Sequence, residues 1–201
     1  MYTPPHNRNG DPEELLAFMR RYPFGTVVTG GTGGLVASHL PLNASLQGDR
    51  FTVASHMAKA NGQWREFGGG EVLAIFTEPH AYISPRHYPP GPWVPTWNYV
   101  AVHAHGRARV IDDREGKLAV LRDTIASTEP GFQDQFDTYA EGWVDAKLKG
   151  IVAFSIDVNR IEGRWKLSQD RDAATRERIS AALERQGGPA ADLAAYTRAT
   201  L

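Results

Sequence analysis

The sequence predicts an α+β fold in which antiparallel strands build a barrel and helices lie at its periphery. Three observations carry this expectation: β-rich runs separated by glycine turns fill the first half of the chain, helical spacings interrupt the second half, and the strand–helix crossover pattern of a doubly wound parallel sheet is missing. With 201 residues and neither an internal repeat nor a long linker, the chain reads as one domain, 1–201, with a helical C-terminal segment over 171–201.

The elements follow in order. Asp11, Pro12 and Glu14 mark a helix start, with Asp11 as cap, Pro12 at the first helical position and Glu14 closing a capping box; Leu15, Leu16, Phe18 and Met19 supply a buried stripe. "FGTVVT" and "LVASHLPL", joined by "GGTGG", predict a hairpin, and a turn at "QGD" leads into "RFTVASHM". "EVLAIF" and "AYIS" read as two further strands after the helical "NGQWREF". "PRHYPPGPWVP" holds five prolines in eleven positions and must be an exposed loop. The strand "TWNYVAVHAHGRARV" has two faces. Tyr99, Ala101, His103, His105, Arg107 and Arg109 form a polar side, and Val100, Val102, Ala104, Gly106, Ala108 and Val110 a core side. Leu118, Leu121 and Ile125 predict a helix over 113–126, and Phe136, Tyr139, Trp143 and Leu148 one over 132–148. "GIVAFSIDV" is the last strand, residues 171–186 form a charged helix, and a looser helix follows "GGP".

Composition narrows the function. Lys plus Arg number 22 against 23 for Asp plus Glu, a net charge of −1, so no global field draws the chain to nucleic acid or an anionic membrane. There is no cysteine, which excludes thiol nucleophiles and cysteine-ligated metal centres. No apolar run reaches the length of a membrane span and the N-terminus is polar, so the expectation is a soluble, cytoplasmic protein.

Several groupings could carry chemistry. "GGTGG" precedes a strand and not a helix, which leaves a turn in place of a phosphate loop. In "SHMAKANGQW", Ser55, His56, Lys59 and backbone amides meet where a strand hands over to a helix, a sound way to hold a phosphate, with Asn61 as the helix cap. The competing reading makes Ser55, Lys59 and Asn61 ordinary turn and cap residues. His103 and His105 could chelate a metal, but no carboxylate is evidently paired with them, so they read as hydrogen-bonding or structural histidines and no metal site is expected. Ser38-His39 and Ser55-His56 are neighbours on strands, point to opposite faces, and cannot form a nucleophile and its base. Trp64, Trp97 and Trp165 stand beside polar residues; tryptophans are mostly core or interface material, but an indole next to Asn98 or Lys166 also suits the flank of a planar ring. "WKLSQDR" places Lys166, Ser168 and Gln169 between the last strand and the charged helix, with Ser168 as that helix's cap in the structural reading.

Taken together, "FGTVVT", "ASHLPL", "SHMAKANGQW", "EPHAYISP", "VPTWNY", "KGIVAFSIDV" and "KLSQDR" resemble, in order and spacing over nearly the whole chain, the PaiB-type FMN-binding negative transcriptional regulators. The resemblance implies an FMN-binding split β-barrel, related to the pyridoxamine-phosphate-oxidase-like flavin proteins, with peripheral helices and usually a homodimer. It implies FMN as cofactor, with Ser55, His56 and Lys59 at the phosphate, Asn61 and Trp64 in support, and Ser38 and His39 at the ring edge. Trp97, Asn98, His103, Lys166, Ser168 and Gln169 would close or flank the pocket, the last three from a partner subunit. One departure from the resemblance is that the arginine-rich phosphate clamp of the oxidase proper is not evident in the sequence.

Two functions follow. The first is a flavin sensor or flavin-dependent oxidoreductase with a regulatory effect; no acid or base stands out, which suits chemistry carried by a cofactor. The alternative is a DNA-binding repressor without redox activity. Its only candidate helix carries Arg171, Arg176 and Arg178 beside Asp172 and Glu177, so direct nucleic-acid binding is disfavoured.

Overall fold

The computed structural model describes residues 1–31 and 33–200. A short strand, β1 (Arg8–Asn9), precedes α1 (Pro12–Arg21), whose buried residues are the predicted Leu15, Leu16, Phe18 and Met19. Proline opens α1 because its fixed φ suits the first helical position, where the N–H would have no partner. β2 (Phe24–Gly31) and β3 (Gly34–Pro41) form the expected hairpin, in register from Phe24 opposite Pro41 to Gly31 opposite Gly34. β4 (Asn43–Gln47), a strand the sequence does not set apart, pairs with β5 (Arg50–Ala58) across Gly48–Asp49. A 3₁₀ helix follows over Gly62–Gly69.

The runs "EVLAIF" and "AYIS" are not two strands but one, β6 (Val72–Ile83). Its buried side chains are Val72, Ala74 and Phe76, then Pro79, Ala81 and Ile83. One extra residue at Thr77–Glu78 thus shifts the two-residue alternation, as a bulge does, and hides the continuity from any reading of period. β7 (Thr96–Ile111) keeps its even-numbered residues buried from Asn98 to Ala108, as predicted, although Ala101 is buried too and Val110 is exposed.

α2 (Arg114–Thr128) starts on Asp113, whose carboxylate accepts from the Gly116 N–H at 2.7 Å. The helix predicted over 132–148 is two, α3 (Gln133–Asp137) and α4 (Glu141–Lys149), because the backbone turns extended at Ala140. The apolar spacing survives this break: Phe136, Val144 and Leu148 are buried together, with Leu118, Leu121 and Ile125 packed on them. β8 (Ile151–Lys166) runs well past the predicted strand end, with Val152, Phe154 and Ile156 buried in its first part and Gly163 and Trp165 in its last. α5 (Ala173–Gln186) is capped by Asp172, which accepts from the Thr175 N–H at 2.7 Å, and α6 (Pro189–Arg198) follows. Asp172 caps α5 in place of Ser168 because Ser168 sits several residues upstream in the left-handed region, φ 63°.

The strands order as β3-β2-β6-β7-β8-β5-β4, with β1 paired to β8, and the pairs β1–β8, β2–β3, β2–β6, β4–β5 and β5–β8 are all antiparallel. The chain forms two compact units. The larger comprises Pro12–Phe76 and His103–Ile161, and the smaller Met1–Asp11, Thr77–Val102 and the chain from Glu162 onward. In the larger unit Val27, Val53, Met57, Phe76, Phe154 and Ile156 are buried, and the rings of Phe67 and Phe154 lie 4.8 Å apart. In the smaller unit the buried set includes Val100, Val102, Leu167, Ile179, Leu183 and Leu193. No helix among the described residues is long and apolar enough to cross a membrane.

Candidate functional site

In the larger unit the end of β5 turns into the 3₁₀ helix through residues 58–62. Asn61 caps that helix as the sequence predicts: its Oδ1 accepts from the Gln63 N–H at 3.1 Å while its Nδ2 donates to Ser38 Oγ at 2.8 Å. The second bond ties the turn to β3 through Ser38 Oγ as acceptor. Trp64 Nε1 donates to the Lys59 carbonyl at 3.3 Å, and the Arg65 guanidinium lies 4.7 Å from the Trp64 ring centre. The Lys59 ammonium is exposed. His39, opposite Thr26 in the hairpin, bonds Thr26 Oγ1 through Nδ1 at 2.9 Å and stacks on Phe24.

The two members of Ser55-His56 diverge, as alternation requires. Ser55 is fully buried and its hydroxyl donates to the Pro41 carbonyl at 2.6 Å, so it fastens strands and offers nothing to a ligand. His56 is different: its Nδ1 is buried with no hydrogen-bond partner among the described residues, and burial holds its imidazole below the usual histidine range. An unmade bond of this kind costs about 1–3 kcal/mol and calls for a reason. Three backbone amides of the predicted cradle are already engaged within the protein. The amides of Lys59, Asn61 and Gln63 are taken by the Gly150 carbonyl, the Ala58 carbonyl and Asn61 Oδ1.

In the smaller unit, Trp97 and Asn98 fall on opposite faces of β7 because they are consecutive. Trp97 is exposed, its ring 6.0 Å from that of His80 and 6.1 Å from that of Tyr82. Asn98 is buried and its Nδ2 donates to Ser168 Oγ at 2.9 Å, while the Ser168 hydroxyl lies 3.2 Å from Asn98 Oδ1. Lys166 Nζ donates to Thr96 Oγ1 at 2.6 Å and to the Trp97 carbonyl. Burial lowers its pKa and the nearby Arg164 adds to this, with Asp170 opposing. Gln169 folds back on its own turn, its Oε1 accepting from the Leu167 N–H at 2.8 Å and its Nε2 donating to the Trp165 carbonyl. Asn98, Lys166 and Ser168 line one cavity of about 290 Å³, together with Tyr88, Arg164 and Arg171. His103, half-buried in the larger unit, has its ring 6.3 Å from that of His105.

Sequence reasoning missed four residues that matter. Gln63, buried, donates through Nε2 to the Val27 and Val36 carbonyls and so binds the 3₁₀ helix to the hairpin. Its neighbour in the cap, Asn61, drew attention because asparagine has a turn propensity; a buried glutamine has no such local signal. Arg164, Tyr88 and Arg171 belong to the cavity, and only the even spacing of Arg164 with Lys166 and Ser168 hinted at it.

An antiparallel sheet with, among the described residues, six α-helices and this strand order is an α+β split β-barrel of the kind used by flavin proteins. The same fold occurs in the FAD and heme binding protein from Mycobacterium smegmatis, with a TM-score of 0.63 at 17% identity over 87% of this chain and 80% of that one. It occurs also in the flavocytochrome Anf3 from Azotobacter vinelandii, with a TM-score of 0.62 at 16% identity, covering 79% of this chain and 68% of that one. The chain belongs to the family described as "Putative FMN-binding domain", which it matches over residues 1–160. It is 36% identical over 193 residues to the protease synthase and sporulation protein PAI 2 of Bacillus subtilis, covering 94% of this chain and 92% of that protein.

Proposed function

We propose that the chain binds FMN at the corner formed by Ser38, His56, Lys59, Asn61 and Trp64, and that it acts as a flavin sensor or flavin-dependent oxidoreductase with a negative effect on transcription. The unpartnered, buried Nδ1 of His56 carries this reading, in a chain of the FMN-binding family. The donor set fits the cofactor. Lys59 brings a charge for the phosphate, the Ser38 hydroxyl and the His56 imidazole bring hydrogen-bonding groups, and Trp64 brings an aromatic surface held by Arg65. When bound, FMN supplies one- or two-electron transfer, and the protein's part is to hold and orient it. Asn61 fixes Ser38 in place, and Gln63 keeps the corner against the hairpin. His39 stays at the exposed end of β3, available to a ring edge.

The working form in this reading is a homodimer. β3 ends the strand order, and its Leu35 and Val36 are exposed, Leu35 at 83%, as is Phe24 on the adjoining β2. An uncovered edge with such residues asks for a partner. Trp97, exposed beside His80 and Tyr82, is available to a flavin held by a second copy, with His103 as a further flanking group.

The arrangement of α5 supports an indirect regulatory role. Arg176 donates to the Thr200 carbonyl, and Arg178 donates to the His87 carbonyl at 3.0 Å and to Thr175 Oγ1 at 2.8 Å. Arginines held this way are poorly placed to meet phosphates. The test is the absorbance spectrum of freshly purified protein, followed by titration with FMN under fluorescence detection. Flavin bands, or saturable quenching of added FMN, are expected; a colourless protein that ignores FMN overturns the reading.

A further inference from the structure

We infer that the cavity over Asn98 and Ser168 is a binding site for a small organic anion, a carboxylate or phosphate head on an apolar body, separate from the flavin corner. The cavity belongs wholly to the smaller unit and holds about 290 Å³. That lies at the small end of ligand pockets, which run from about 300 to 1,000 Å³, and leaves no room for a dinucleotide.

Charge defines the ligand's head. Arg164, Lys166 and Arg171 line the cavity against a single carboxylate, Asp170. Arg171 meets that carboxylate at 3.3 Å, whereas among the described residues the hydrogen-bond partners of Arg164 and Lys166 are neutral: the Tyr2 carbonyl, Thr96 Oγ1 and the Trp97 carbonyl. Arg164 donates through Nη1 to the Tyr2 carbonyl at 2.7 Å, and its guanidinium lies 5.2 Å from the Tyr99 ring centre; its Nε is buried with no partner among the described residues. Lys166 has two of its three donors engaged, by Thr96 Oγ1 and the Trp97 carbonyl. Two cations lining one cavity, with no carboxylate paired to either among the described residues and partly shielded from water, cost free energy that an anion would offset. The lowered pKa of Lys166, caused first by burial and then by Arg164, has the same origin.

The rest of the lining defines the body. Val94, Pro95 and the Tyr88 ring give an apolar wall, and Arg171 is held over Tyr88 and Trp93 at 5.3 and 4.8 Å. Beneath them Ser168 is the only non-glycine with positive φ among the described residues, fixed there by the buried Asn98 amide. Backbone held in so sparse a region is found where a site must be kept in shape.

Calorimetric titration of the full chain with benzoate and, separately, with inorganic phosphate at constant ionic strength tests this. One saturable site for at least one probe is expected, and which probe binds tells a carboxylate from a phosphate head. Lys166→Met should weaken that binding about tenfold or more, while Arg50→Gln, a charge removed from the exposed start of β5 in the other unit, should leave it unchanged. If Lys166→Met does not fold, Arg171→Gln takes its place with the same expectation. No saturable binding of either probe, equal loss in Arg50→Gln, or displacement of the probe by equimolar FMN would each overturn the proposal, the last by giving the cavity to the cofactor.

Discussion

Substituting Ser168 separates a hydrogen bond from a backbone constraint. Its side chain and that of Asn98 exchange bonds of 2.9 and 3.2 Å, and both residues are buried, at 7% and 1% exposure. Ser168→Ala removes the hydroxyl and leaves the Asn98 amide without its partner, which should cost about 1–3 kcal/mol. Ser168→Gly loses the same bonds but is released from the left-handed φ of 63°. A side chain pays about 1–2 kcal/mol in that region, and glycine gives back about 0.4–1 kcal/mol through the freedom of the unfolded chain. The glycine variant should therefore be more stable than the alanine variant by about 0.5–1 kcal/mol, contrary to the usual order of the two residues. Urea unfolding with an unchanged m-value reads the difference directly as a shift in midpoint. Alanine equal to or better than glycine would refute the argument, since it would mean that position 168 carries no left-handed constraint.

Gly106→Ala should destabilise by about 1–3 kcal/mol or more, because its Cβ would stand 2.1 Å from the Asp157 carbonyl oxygen, a backbone atom that cannot yield cheaply; a thermal midpoint equal to the parent's would contradict this. Burial lowers the His56 pKa, so the unfolded chain binds that proton more readily. Stability is then complete above the unfolded pKa of about 6.5 and is lost as pH falls toward the folded value, and His56→Gln should flatten the difference in urea midpoint between pH 7.5 and 5.5. An identical pH dependence in parent and variant would show that another group sets it. Lys59→Ala should weaken FMN binding by about 1–3 kcal/mol without altering the unfolding midpoint, and unchanged quenching would remove Lys59 from the phosphate. Sedimentation at micromolar concentration should give a dimer; a stable monomer would leave the exposed β3 edge unexplained.

The sequence by itself determined whatever depends on local spacing. The α1 stripe, the β2–β3 hairpin, the two faces of β7 and the Asn61 cap each follow from residues a few positions apart, and each stands in the structure. The motifs "SHMAKANGQW", "VPTWNY" and "KLSQDR" also sufficed for the family. What tertiary structure decided lies where period fails or partners are remote. β6 passes for two strands because its buried face changes parity at Thr77–Glu78, and β8 passes for a short one because its polar middle interrupts the apolar pattern. Ser55 and His56 look equivalent in sequence, yet the Ser55 hydroxyl is taken by the Pro41 carbonyl while the buried Nδ1 of His56 has no partner among the described residues. Ser168 looks like a helix cap until Asn98, 70 positions away, takes its hydroxyl and Asp172 takes the cap. A hydrogen bond between distant residues leaves no trace in local periodicity, because side-chain spacing records only which face a residue is on and not what the fold places opposite it.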